Sequence, residues 1–535
     1  MDSDKLLKEH KGLFITAGVV LAVLAIWHLT YVIEAINATG DRFLLREYGM
    51  LALGLVMLSL LTGITLLCTA YKKEVIWIIA FALLAISSMR VQPGLSAPDE
   101  PTHYISAYYW SNVLMLQEPD DEKGKVYIRE EDAVLEDLNE ERAEVEAGLS
   151  EGTEIFGQVL EEKTLKLVHE WDYDDKVGTT TSILQRMETN PLVYLPAALG
   201  ISAARTVNAK PLTLLTMGKL FNLIAFMIMV FWAVKRTPIA KNIMMAVTLL
   251  PMTVTLASSM SYDAMLIGLS FMFIAEVLYL AYAKDKIGWK DIILPAVILA
   301  VMSPCKMVYG IEVLLLLLIP KEKYESKTIN FAMWAICIVA VIGSVLAVNL
   351  SIISSYASAS GNELEWAGEE GYTIAYCLRH PVEVIRMVYD SVIWQGGYWH
   401  QTMIGSYLGN CDPEADVPYF VVMILAAILL MMPLAKPNDE NVISVRDKIV
   451  IAGTGVLLAG MLMGSMLIGW TPFSSSVILG VQGRYFIPIL PAILILFRNK
   501  LLVFKKDISK ELLFIIVCCD AYALIRLYSM IALHV

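Results

Sequence analysis

The chain has 535 residues, of which 57% are hydrophobic and only 18% charged, with a mean hydropathy of +0.61. That composition excludes an ordinary soluble domain and indicates a polytopic membrane protein. The net charge of −12 is concentrated: Glu118 to Asp175 holds 21 acidic and 6 basic side chains, more than the whole excess, which argues against a nucleic-acid partner.

The first apolar run is too long for a cleavable signal peptide and reads as a retained first helix. A helix needs about 20 apolar residues to cross a bilayer. The expected fold class is therefore an all-α polytopic membrane protein with about thirteen transmembrane helices. Their expected positions are 13–33, 50–71, 74–91, 213–234, 238–258, 262–283, 289–303, 307–320, 329–350, 418–435, 448–469, 485–498 and 511–533. These divide the chain into N-terminal helices (1–91), a large loop with surface helices (92–212), central helices (213–350), a second loop (351–417) and C-terminal helices (418–535).

Lysine and arginine orient the array. Lys72 and Lys73, Lys235 to Lys241, Lys284 to Lys290, Lys321 to Lys327, Lys436 to Lys448 and Arg498 to Lys506 fall in every second loop, which predicts a cytoplasmic N-terminus and an external C-terminus. The other loops collect the conspicuous polar residues that interrupt the apolar pattern, so the active face is expected outside. In the first of them, Glu130 to Leu149 is rich in Glu, Leu and Ala and predicts an exposed, solvated acidic helix. Asn190 to Ala204 predicts a short helix lying at the outer membrane surface. Cys68, Cys337, Cys518 and Cys519 fall in apolar runs and read as small buried hydrophobes, whereas Cys377 and Cys411 share a polar loop in which they could pair.

The most informative stretch is Ala97-Pro98-Asp99-Glu100-Pro101-Thr102-His103-Tyr104, where two adjacent carboxylates follow an apolar helix. Carboxylates at that boundary can act on a substrate anchored in lipid. Adjacent acids raise one another's proton affinity, which suits a base near neutral pH; a divalent cation, Mg or Mn, bound by Asp99 or Glu100 is the alternative. His103, four residues after Asp99, shares its face if a helix starts at Pro101. It would orient the carboxylate or meet a sugar. Lys306 stands between two apolar runs, where a lone ammonium needs a partner. Arg484 lies in Gly480-Val481-Gln482-Gly483-Arg484-Tyr485, and a guanidinium grips phosphate oxygens in a bidentate fork. Asp263 is either a partner for Lys306 or Arg484, a sugar ligand, or a helix N-cap. Asn190, Tyr194 and Lys219 are weaker candidates. Trp394 to Gln401 is a sugar platform or an interfacial aromatic belt.

Taken in order, P-D-E-P-x-H-Y, N-P-L-V-Y-L-P, G-K-L-F-N, S-Y-D-A and G-V-Q-G-R-Y-F-I-P-I-L-P resemble the bacterial membrane family known as domain of unknown function 2142, from about Ile76 to Arg498. That family looks like a branch of the GT-C glycosyltransferase superfamily. The resemblance implies a GT-C-like fold and an inverting enzyme of the bacterial plasma membrane. Such an enzyme moves a sugar from a polyprenyl-phosphate donor to a cell-surface glycan or lipid-linked acceptor on the external face. It puts Asp99, or else Glu100, in the place of the catalytic acidic residue of the first external loop. It also puts Lys306 and Arg484 near the donor phosphate, with His103, Tyr194, Asp263 and Gln482 as further substrate contacts. The chain departs from the superfamily pattern in its longer, more acidic first loop and in two helices placed before the one that delivers the carboxylates. The alternatives are a transporter or flippase of lipid-linked saccharides, which should carry polar groups through both halves of the membrane, and a non-catalytic subunit of polysaccharide assembly.

Overall fold

In a computed structural model the described residues are 3–136, 178–187, 189–357, 363–364, 366–408, 415–434, 443–499, 501–502 and 504–533. The helices in chain order are α1 (Ser3–Thr39), α2 (Phe43–Cys68), α3 (Lys73–Val91), α4 (Glu100–Leu114), α5 (Leu195–Thr206), α6 (Pro211–Arg236), α7 (Lys241–Thr248), α8 (Pro251–Ala257) and α9 (Tyr262–Tyr282). They continue as α10 (Lys290–Met302), α11 (Lys327–Ala357), α12 (Ile374–Arg379), α13 (Pro381–Ile404), α14 (Tyr419–Met431), α15 (Val445–Gly469), α16 (Leu490–Ile495) and α17 (Ser509–Leu533). The only β-structure among the described residues is two small antiparallel pairs, Tyr127–Arg129 with Thr179–Thr181 and Glu363–Leu364 with Glu369–Glu370.

Eight of the described helices are long and apolar enough to cross a membrane: Leu6–Thr39, α2, α3, α6, α9, Lys327–Ser351, α15 and α17. The chain is thus an all-α polytopic membrane protein. The five other expected spans form shorter helical pieces. The stretch 238–258 breaks into α7 and α8 because Pro251 has no N–H to give and pushes Leu250 to an extended ψ of 140°. The stretch after Lys306 winds as a 3₁₀ helix over Met307–Leu318.

Helices in lipid gain nothing from burying apolar faces against one another, so close packing and satisfied polar groups hold them. α9 is the central post, and most of its surface is buried. Its Ser270 hydroxyl lies between the Glu312 carboxylate (2.8 Å) and the Pro488 carbonyl (2.8 Å), tying three segments together. The two chain ends meet: α17 packs on α1 and α2, with Phe14 edge-on to Phe514 and His28 Nδ1 2.8 Å from Ser529 Oγ. α5 lies directly against α6 because Gly200 has no side chain. A β-carbon there would stand 3.0 Å from Gly218 Cα and nearer still to the Met217 carbonyl.

Three expectations change in the described parts. The acidic stretch begins as a 3₁₀ helix, Glu130–Leu135, and its Asp132 is buried, accepting from Arg129 (2.7 Å) and Tyr108 (2.8 Å) instead of being solvated. The remainder, 137–149, lies outside the described residues. The second loop is largely helix: α12 and the 24-residue α13 fill it. Cys518 and Cys519 are only partly buried, while Cys68 and Cys337 are buried as expected. Cys411 lies outside the described residues. α5 is a 12-residue helix, too short to cross, with Leu195 and Leu199 exposed and Ala197, Ile201 and Ala204 packed inward.

Candidate functional site

α3 ends at Val91, and the chain runs through a buried turn to Asp99. Asp99 caps α4 with φ 57° and ψ 14°, a left-handed conformation that costs an ordinary residue about 1–2 kcal/mol. Glu100 holds this turn from inside. It is fully buried, 3.1 Å from Lys219 Nζ on α6, and accepts from Met260 N (3.1 Å) and Ala97 N (3.2 Å). The two neighbouring carboxylates therefore do not share a site. The left-handed turn sends them opposite ways: the Asp99 side chain is 57% exposed and that of Glu100 0%. Glu100 as a second catalytic acid is set aside on this geometry, because no substrate reaches a carboxylate so enclosed.

Asp99 meets a cluster assembled from three distant segments. Its Oδ2 lies 2.7 Å from Arg484 Nη2. Arg484 Nε lies 3.2 Å from Asp263 Oδ2, and Asp263 Oδ1 lies 3.0 Å from Lys306 Nζ. Charges of alternating sign thus run Asp99, Arg484, Asp263, Lys306. The Arg484 side chain is only 4% exposed, and its buried Nε–H makes no aligned hydrogen bond despite the nearby carboxylate. Lys306 Nζ sits 3.8 Å above the Tyr485 ring and 5.5 Å from that of Tyr262, a cation held over aromatic faces. Asp263 is not the N-cap of α9; Ser261 takes that place, accepting from Asp263 N at 3.1 Å, and so frees the carboxylate for both cations.

His103 does not orient Asp99 through its ring. Its Nδ1 lies 2.8 Å from Tyr194 OH and its ring is edge-on to Tyr262 at 4.8 Å, forming an aromatic wall beside the cluster. Burial lowers its pKa to about 4, so the imidazole is neutral at physiological pH, and burial likewise raises that of Tyr194. Asn190 is structural: it caps the turn before α5 at Leu192 N and donates to the Val301 carbonyl at 2.9 Å. Gln482 contributes its carbonyl, which accepts from Tyr485 N at 3.1 Å. In Trp394 to Gln401, Trp394 is exposed, Gln395 donates to the Ile478 carbonyl and Trp399 is buried. Both ends of α13 therefore serve the Arg484 loop more than an open platform.

That loop depends on Gly483. Its N donates to Thr402 Oγ1 at 2.8 Å, and a β-carbon would collide with the Trp399 carbonyl and Met403 N on α13. Gly483→Ala is expected to cost about 1–3 kcal/mol or more by overpacking against backbone. Thermal unfolding in detergent measures it, and an unchanged midpoint would contradict this packing. Tyr485 and Lys219 are the residues whose roles sequence reasoning missed or underweighted. Tyr485 adjoins Arg484 in the same motif, and Lys219 is the one cation within an otherwise apolar stretch of α6 before its C-terminal pair.

Among the described residues no three His, Cys, Asp or Glu side chains converge as a metal-binding group. The donor chemistry also fits a cation poorly. Asp99 faces a guanidinium, and Asp263 is shared between Arg484 and Lys306. The cluster is neutral in sum, with both cations buried deeper than the exposed Asp99. An incoming anion can therefore take the guanidinium and release the carboxylate.

A family model described as Predicted membrane protein (DUF2142) matches residues 81–493. No curated protein and no solved structure matches the chain.

Proposed function

The chain belongs to the DUF2142 family of predicted membrane proteins, and from that premise we propose that it is a GT-C-type glycosyltransferase. It takes a sugar from a polyprenyl-phosphate donor and passes it, with inversion, to a cell-surface glycan or lipid-linked acceptor at the outer face of the bacterial plasma membrane. The N-terminus is cytoplasmic, the C-terminus external, and thirteen helical segments span or enter the bilayer. One observation carries the reading: an exposed carboxylate, Asp99, is ion-paired to a buried arginine 385 residues away, within one cluster that also holds Lys306.

The donor phosphate enters against Arg484 and Lys306 and competes with Asp99 for the guanidinium. Asp99, released, takes the proton of the acceptor hydroxyl. The acceptor oxygen bonds to the anomeric carbon as the bond from that carbon to the phosphate oxygen breaks. The electron pair leaves on the phosphate, where the two cations neutralise it. Single displacement inverts the anomeric centre. Glu100 and Lys219 hold the turn that presents Asp99.

The direct test is glycan analysis of the cell envelope with and without the gene, joined to transfer assays on purified protein. Loss of one sugar, restored by the wild-type chain, supports transfer. Unchanged glycan composition with lipid-linked intermediates accumulating on the inner face would favour a flippase. Arg484→Ala is expected to weaken donor binding by about 10- to 150-fold, the range for a lost charged hydrogen bond, with acceptor binding unchanged. Equal donor binding by the variant would remove Arg484 from the phosphate site.

A further inference from the structure

At the opposite end of α3 from Asp99 lies a second polar cavity, of about 160 Å³, room for roughly five waters. α3 is 19 residues long and separates the two sites by about 28 Å at 1.5 Å per residue. Lys73, Lys241, Asn242, Arg498 and Asp507 contribute its polar lining, and Pro238 to Ala240 with Met432 and Pro433 contribute much of the rest. All these segments come from the lysine-rich set of loops. We propose that this cavity binds the phosphate of an anionic phospholipid headgroup.

Three separate chain segments deliver cations to one small space, and a single described carboxylate, Asp507, lines it. Asp507 is exposed and already accepts from Ser509 N at 3.0 Å. Lys73 Nζ donates to Asn242 Oδ1 at 2.5 Å, which fixes its ammonium beside the first turn of α7. That turn begins with Lys241, has no acidic residue, and follows Ala240, which supplies no side-chain cap. The amino end of a helix already carries partial positive charge. Two lysines placed there repel it and each other, an arrangement that a bound anion relieves.

Position selects a lipid as the carrier of that anion. The cavity opens where α3 and α6 end, and its rim is flanked by exposed apolar side chains: Tyr71 (72%), Phe497 (46%), Leu501 (93%) and Leu502 (66%). A polar cleft between helix ends with an apolar rim suits a molecule whose headgroup is charged and whose tails are not. Free phosphate shares the headgroup chemistry but has no use for the rim.

Native mass spectrometry of the full-length protein tests this, with phosphatidylglycerol, phosphatidylcholine of the same chains and inorganic phosphate offered in parallel. Phosphatidylglycerol is expected to be retained and phosphatidylcholine lost. The double variant Lys73→Gln, Lys241→Gln should weaken phosphatidylglycerol binding about thirtyfold, and Lys73→Arg, Lys241→Arg should keep it. Equal retention of both lipids, or retention unaffected by the Gln variant, would overturn the proposal. Binding of inorganic phosphate without phosphatidylglycerol would overturn the lipid assignment. Should the Gln variant not fold, headgroup photocrosslinking to the wild-type chain decides: phosphatidylglycerol must label the peptide holding Lys241, and labelling elsewhere alone refutes it. None of these readouts involves sugar transfer, so the inference stands or falls independently of the proposed activity.

Discussion

Asp99→Asn is expected to lower sugar transfer by about 10²- to 10⁴-fold, the usual contribution of a general base. Stability should change by less than about 1 kcal/mol, since the lost ion pair is half in solvent. Asparagine is also the residue that best tolerates the left-handed backbone at this position, so the turn keeps its shape. Donor binding should be equal or tighter, because Arg484 no longer has to be taken from a carboxylate. The pattern is the reverse of that for Arg484→Ala, which loses donor affinity. Saturating-donor kinetics together with donor titration separate the two. Full activity in the Asp99 variant would exclude it as the base.

The second large effect lies one residue away and is of another kind. Lys219→Met should destabilise the protein by about 3–5 kcal/mol, the cost of leaving a buried carboxylate without its cation. Glu100 is fully enclosed, with Met260 N and Ala97 N as its other donors, so water cannot replace the ammonium. The double variant Glu100→Gln, Lys219→Met should recover most of that loss, because an uncharged amide can still accept from Met260 N and no bare charge remains. Unfolding in detergent reads this directly. Transfer per folded molecule should be far less affected in the double variant than in Asp99→Asn. If Lys219→Met unfolds like the wild type, the buried pair does not hold the turn; if the double variant is as inactive as Asp99→Asn, Glu100 has a chemical role.

The pair Asp99-Glu100 marks how far the residues themselves could be read. Their place after an apolar helix, between Pro98 and Pro101, singles them out, and so does the isolation of Arg484 and Lys306 between apolar runs. Helical class and multi-pass character follow from hydropathy alone, because a bilayer demands long apolar helices whose backbone is satisfied internally. Which carboxylate faces out does not follow. It is decided by one left-handed φ, and that in turn by contacts from Lys219 and Met260, both more than 100 residues away. The same holds for the second loop. Its aromatic and amide residues look like a platform in sequence, yet Thr402 and the Trp399 carbonyl are spent against Gly483.

Composition and the spacing of apolar runs determined that this protein is a bundle of membrane helices, since burial in lipid is a property each segment carries by itself. They also determined which few charges were out of place. Only the tertiary structure decided which of those charges touch, that Glu100 is a strut and Asp99 is presented, and that the lysines of the far face enclose a cavity. The physical reason is that a charge in a low-dielectric interior is governed by its nearest partners in space, and here those partners lie up to 385 residues apart in the chain.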